Sequence, residues 1–172
     1  MLGRRRTWLQ GFAVTVCALG LSSACTSGPE PRSLVQTDDP DVPAPPPGLD
    51  TEGAAAWTTW QRLGVDDYRY RLTVGCFCLG VDGPVEVSGG EVTRVEGKRY
   101  DGESLTGFPN GDPTVDEVFR QLSRALRHAD QVEVTYDPRT GVPKTIEVDW
   151  MTNAIDDEIS YRVTDLEPTD EQ

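Results

Sequence analysis

The residues best suited to chemistry are two cysteines, Cys76 and Cys78, separated by a single residue. Thiols so placed can bridge, hold a soft metal or exchange electrons, and their geometry and neighbours decide which. On a straight strand, side chains two apart stand roughly 6–7 Å from each other, whereas bonded cysteines bring their Cβ atoms to about 3.5–4.5 Å. A disulfide would therefore bend the chain here, and Gly75 and Gly80 ease such a bend. Buried thiols, a redox pair and a metal site are the other readings. A redox pair wants a helix N-terminus or cations close by to lower a thiol pKa, and neither stands near in the sequence. A zinc or copper site wants further ligands, yet the only histidine, His128, lies at the far end of an expected helix.

A second candidate is oxygen-rich. Asp149, Asn153, Asp156, Asp157 and Glu158 fall within ten residues, and calcium takes six to eight oxygen ligands. The spacing is not that of an EF-hand loop, however, and no glycine marks its sharp turn. The reading preferred here is a capped turn between strands, with no metal and no cofactor. Hydrolytic machinery is missing from the pattern. No Gly-x-Ser-x-Gly elbow occurs, and His128 suits a helix C-terminus, where its charge complements the dipole. Acids are numerous enough to supply a carboxylate pair for glycoside cleavage, but abundance alone is no argument for catalysis. An enzyme is the disfavoured reading.

The elements that must position these residues are legible from periodicity. Asp50 and Thr51 can cap a short helix that carries Trp57 and Trp60 on one face and stops at Gly64. From Tyr68 to Cys78, apolar residues alternate with Arg69, Arg71, Thr73 and Gly75, which is the period of a half-buried strand. Val85 and Val87 pair with Val92 and Val95 across Gly89-Gly90. A glycine-rich loop follows from Lys98 to Asp112. Thr114 then caps a second helix, Glu117 completes a capping box, and Val115, Val118, Phe119, Leu122, Ala125, Leu126 and Ala129 form its apolar stripe. Three more strands run through Val132–Tyr136, Ile146–Trp150 and Ile159–Val163. The sum is an α+β domain: an antiparallel sheet of about six strands with two helices on one face, in an αβββ order repeated once.

Composition bounds the setting. The chain carries a net charge of −13, which repels nucleic acid and anionic membrane surfaces. Residues 1–24 hold Arg4, Arg5 and Arg6 and no acid, so their removal would take the charge down three further units. The apolar run from Trp8 to Leu21 is shorter than the ~20 residues of a spanning helix. A basic start, a short apolar run and small residues before a cysteine form an export signal. Leu21-Ser22-Ser23-Ala24-Cys25 resembles the lipobox of bacterial lipoproteins, although Ser22 stands where leucine is commonest. That resemblance implies cleavage before Cys25 and acylation of its thiol, with the protein anchored at the outer face of the cytoplasmic membrane. The expected organisation is a signal peptide over 1–24, a lipidated Pro-rich tether over 25–50, one domain over 51–166 and an acidic tail over 167–172.

Within the domain, Asp67-Tyr68-Arg69-Tyr70, Cys76-Phe77-Cys78, Tyr136-Asp137 with Gly141 and Pro143, and Asp156-Asp157-Glu158 form a pattern. It is similar to that of a family of small bacterial domains of unknown function, often carried on lipoproteins. The resemblance implies an α+β fold and an envelope location, and supplies no activity. The function expected is a non-enzymatic binding module for an unidentified envelope protein or small ligand. Its contact surface would be Arg69, Arg71 and Phe77 on the sheet, or Tyr100 and Phe108 in the glycine-rich loop. The alternative is a thiol-redox or metal-handling protein acting through Cys76 and Cys78.

Overall fold

The alternation from Tyr68 builds β1 (Tyr68–Cys76), with Tyr68, Tyr70, Leu72 and Val74 buried and Arg69 and Arg71 exposed. The structure, a computed structural model, describes residues 41–169 except 79, 103, 104, 106, 107, 109 and 110, and only the backbone of Arg99. Before β1 stands α1 (Thr51–Leu63), and after it come β2 (Asp82–Ser88), β3 (Glu91–Val95) and β4 (Lys98–Arg99). Then follow α2 (Val115–His128), β5 (Gln131–Tyr136), β6 (Pro143–Asp149) and β7 (Ile159–Pro168). The strands form one sheet in the order β4-β3-β2-β1-β7-β6-β5, with every neighbouring pair antiparallel. This is the expected α+β fold, and the two-residue β4 is the strand added to the expected six.

Both helices lie on one face of the sheet. Trp57 of α1 meets Phe119 of α2 edge to face with ring centroids 5.2 Å apart, and Trp60 meets Tyr68 of β1 at 5.4 Å. Leu72, Val85, Phe119, Leu122 and Ile146 fill the layer between. The helix caps form as the sequence suggests: Asp50 accepts from the Gly53 amide at 2.7 Å, and Thr114 accepts from the Glu117 amide at 3.1 Å. The capping box is only half made. The Thr114 amide donates to the Asp112 carbonyl instead, and the Glu117 carboxylate accepts from Arg120 and Gln121 at 2.5 and 2.6 Å.

The repeated αβββ order is real as an order. The triplets β3-β2-β1 and β7-β6-β5 lie side by side in the same sequence, yet β1 and β5 run in opposite directions. A rotation relating them would put the helices on opposite faces, so the halves share an element order without a symmetry.

Two boundaries differ from expectation. The tether, expected to reach Asp50, gives way to packed structure by Pro43. The Trp57 indole donates to the Pro43 carbonyl at 2.9 Å, and the Pro47 carbonyl accepts from Ser123 at 2.7 Å and also from Arg127. The Pro43 and Pro47 carbonyls accept from these side chains, so this strap binds the helical layer despite a composition typical of a spacer. At the other end, Glu167 and Pro168 belong to β7, opposite Arg69 and Tyr68, and not to a loose tail. A bulge between these pairs and Arg71↔Thr164 absorbs one extra residue, and Asp165 takes a positive φ of 54° within it.

Candidate functional site

The open face of the sheet ends in a tip built by the two cysteines. After β1 the chain doubles back so that the Val74 amide donates to the Val81 carbonyl at 2.7 Å. Cys76 and Cys78 are joined as a disulfide, their Cα atoms 5.1 Å apart. A side chain at Gly80 would collide with the Val74 carbonyl oxygen, so this return needs glycine. Between the bonded cysteines, Phe77 projects into solvent with 82% of its surface exposed.

Beside the tip lies a groove of about 600 Å³ formed by the ends of β1, β5, β6 and β7. Register places one row of residues across its floor: Gly75 opposite Ser160, Ser160 opposite Glu147, and Glu147 opposite Glu133. Gly75 and Ser160 are small, and a Cβ on Gly75 would stand 2.6 Å from Ser160 Oγ. The row is thus shallow on one side and carries two facing carboxylates on the other. Asp149, Asp156 and Glu158 add their charge to the lining, while no Lys, Arg or His contributes. Facing like charges on adjacent strands are destabilising, by roughly 0.2–1 kcal/mol per pair. The Asp149 Oδ1 and both carboxylate oxygens of Asp157 are buried without a hydrogen-bond partner.

Ion pairs lie elsewhere. Among the described residues they are Arg69–Glu167 at 2.6 Å, Arg71–Asp82 at 2.8 Å, Arg94–Glu86 at 3.4 Å and Arg120–Glu117 at 2.5 Å. Arg69 and Arg71 are therefore on the open face, as expected, but already engaged. Among the described residues no group of three or more His, Cys, Asp or Glu is placed to hold a metal ion. Of the calcium candidates, Asp156 lines the groove together with Asp149 and Glu158, and Asn153 and Asp157 are outside its lining. Asn153 is exposed, and Asp156 takes a positive φ of 71°. His128 closes α2, far in sequence from both cysteines.

In the glycine-rich loop, Phe108 is not at the expected surface. Phe108 is fully buried, edge to face with Tyr161 at 5.6 Å, and an isolated bridge joins it to Leu105. Apolar burial outweighs the loop's turn chemistry: a phenylalanine flanked by glycines, Pro109 and Asn110 reads as exposed and instead plugs the core. Tyr100 is half-buried, and loss of hydration together with Asp112 pushes its hydroxyl up to about 12. Glu133 and Glu147 are the site residues that sequence reasoning missed. Each stood on the polar face of its strand, but only the β5–β6 register brings them together. Cys25 lies outside the described residues.

At the opposite end of β1 several polar side chains are tied into the fold, around a cavity of about 280 Å³. Tyr68 Oη accepts from the first amide of α2, Val115, at 3.1 Å, and Tyr70 donates to the Pro113 carbonyl. Trp60 and Gln61 both donate to Asp116, at 2.7 and 3.0 Å. Burial drives the Tyr68 hydroxyl up to about 12 and raises that of Tyr70 well beyond the ordinary range. Other motif residues also do architectural work. Asp67 accepts from Ser88 and Gly89 at the β2–β3 hairpin, at 2.6 and 3.1 Å. Asp137 accepts from Arg139 and Thr140 at the next, at 2.8 and 3.0 Å; these amides outweigh desolvation and lower its pKa. Gly141, at φ 76°, lies so close to α1 that a side chain would strike the Ala56 carbonyl.

Fold and site together define a small α+β domain with one sheet face packed by helices and the other bare and acidic at one end. The chain belongs to a family of unknown function, DUF6174, whose model matches residues 52–168. That span covers nearly the whole described domain. No curated protein and no solved structure matches the chain. Among the described residues no helix is long and apolar enough to cross a membrane.

Proposed function

We propose that the chain is an exported lipoprotein, acylated on Cys25 and held at the outer face of the cytoplasmic membrane, whose domain binds an envelope partner without catalysing a reaction. The observation that carries the binding half is Phe77, a large apolar side chain 82% exposed and clamped between bonded cysteines. An aromatic anchor held rigid before association loses little freedom on binding. The anchoring half rests on the arginines, the apolar run and the small residues that precede Cys25. Two acyl chains suffice for stable attachment, so the acidic domain needs no basic patch of its own.

Fractionation and photocrosslinking in the native membrane test both halves. Wild type should sediment with membranes, and Cys25→Ser should be released. A photoreactive residue replacing Phe77 should yield one discrete crosslinked species, absent when the same group replaces Arg62 on α1. Wild type in the soluble fraction would overturn the anchor. Identical crosslinking from both positions, or none from position 77, would overturn the binding site.

A further inference from the structure

We infer that the groove beside Phe77 docks an extended, arginine-rich segment of a partner protein. This deepens the binding reading above and rests on it. Charge gathers in the groove without an ion pair to answer it, Glu133 accepting only from the neutral Gln131 amide, at 3.2 Å. Five carboxylates line the groove, on Glu133, Glu147, Asp149, Asp156 and Glu158, with no basic residue among the lining. Glu133 and Glu147 stand directly opposite one another, an arrangement that folding alone disfavours. None of the four ion pairs among the described residues reaches any of the five. The nearest cation on this face, Arg162, stands one row further along, between Thr73 and Thr145.

Arginine suits this surface better than lysine for two reasons. Its planar guanidinium forks onto carboxylates in pairs, and it stacks on aromatic faces. Phe77 offers such a face at the rim, so a guanidinium reaching Glu147 or Glu158 can be covered by the ring. The shallow floor at Gly75 and Ser160 leaves room for a backbone to lie close to the sheet. An extended peptide, with side chains alternating toward and away from the floor, matches that shape.

Fluorescence anisotropy with the full-length chain in detergent tests the assignment, using a labelled peptide of four Arg-Gly repeats. The expected result is saturable binding, weakened about tenfold by the double variant Glu133→Gln/Glu147→Gln and about threefold by Phe77→Ala. The four Lys-Gly peptide should bind more weakly than the arginine peptide. The control variant Glu52→Gln/Glu91→Gln removes the same charge far from the groove and should leave affinity unchanged. Equal weakening by the control would overturn the proposal, because attraction would then come from the chain's overall charge. So would full displacement by spermine at matched charge with no effect of Phe77→Ala, which would make the ligand a free polyamine. Circular dichroism on each variant separates lost binding from lost folding. Failure here, with a discrete crosslink from position 77 in membranes, would remove the ligand class and leave the binding module standing.

Discussion

The two ends of β1 treat their polar groups in opposite ways. At its start, Tyr68 and Tyr70 fasten the entry to α2, and Trp60 and Gln61 hold Asp116. At its finish, Phe77 faces water, Glu133 faces Glu147, and Asp149 keeps an unpartnered oxygen. The first end is satisfied by the fold itself. The second keeps acidic groups that none of the ion pairs among the described residues reaches. The motif residues divide between the two ends: Asp67, Tyr70, Asp137 and Gly141 close turns or join layers, while Cys76, Phe77, Asp156 and Glu158 line the open groove.

The sharpest way to break this contrast is to truncate one phenylalanine from each side. Phe119 is fully buried and Phe77 is 82% exposed. Phe119→Ala should lower the free energy of unfolding by about 3–5 kcal/mol in a urea titration. Phe77→Ala should change it by no more than about 0.5 kcal/mol. Comparable losses from the two would mean that the tip is part of the core.

A smaller effect should appear in alkali. The folded state keeps the Tyr68, Tyr70 and Tyr161 hydroxyls protonated beyond the usual value of 10, with Tyr68 and Tyr161 pushed up to about 12 by burial. An unfolded chain ionises these groups from about pH 10 upward, so it binds fewer protons than the native state there. Their contribution is complete below pH 10 and is lost as the pH climbs through the folded values. Thermal scans from pH 8 to 11.5 should therefore show a falling Tm above pH 10. Tyr70→Phe should flatten that fall while costing about 1–3 kcal/mol at pH 8, because the Pro113 carbonyl loses its donor. An unchanged slope in that variant would detach the alkaline loss from this end of β1.

The smallest effect has the opposite sign. Glu147→Gln removes one of two facing charges, so it should raise stability by about 0.2–1 kcal/mol, detectable as a small shift in the urea midpoint. A loss would show that Glu147 contributes to folding, and would erase the distinction between the two ends.

Much of the architecture was legible because its signals are local. The alternation from Tyr68, the stripe from Val115 to Ala125 and the Gly89-Gly90 turn each specify an element within a short window. Strand order is not local. That β7 returns to lie beside β1 decides which acids share the groove, and no window of sequence contains it. Reading along the chain grouped Asp149 to Glu158, whereas register replaces Asn153 and Asp157 by Glu133 and Glu147. Phe108 misled for a related reason: its partner Tyr161 lies far along the chain. The bend that a bond between Cys76 and Cys78 requires was readable from covalent geometry, whereas the exposure of Phe77 was not.

The strap from Pro43 to Asp50 gives the domain a mechanical character. Load entering from the N-terminal side meets the hydrogen bonds at Pro43 and Pro47 before it meets the sheet. Side-chain bonds to single carbonyls break in succession, like a zip, while the paired strands of the sheet would have to shear together. Peeling the strap would release roughly 25 Å of chain, at about 3.3 Å per residue, and leave the sheet and its groove intact. A pulling experiment should register it as a short first extension at low force. The strap is thus a slack reserve, able to lengthen while the sheet behind it stays paired.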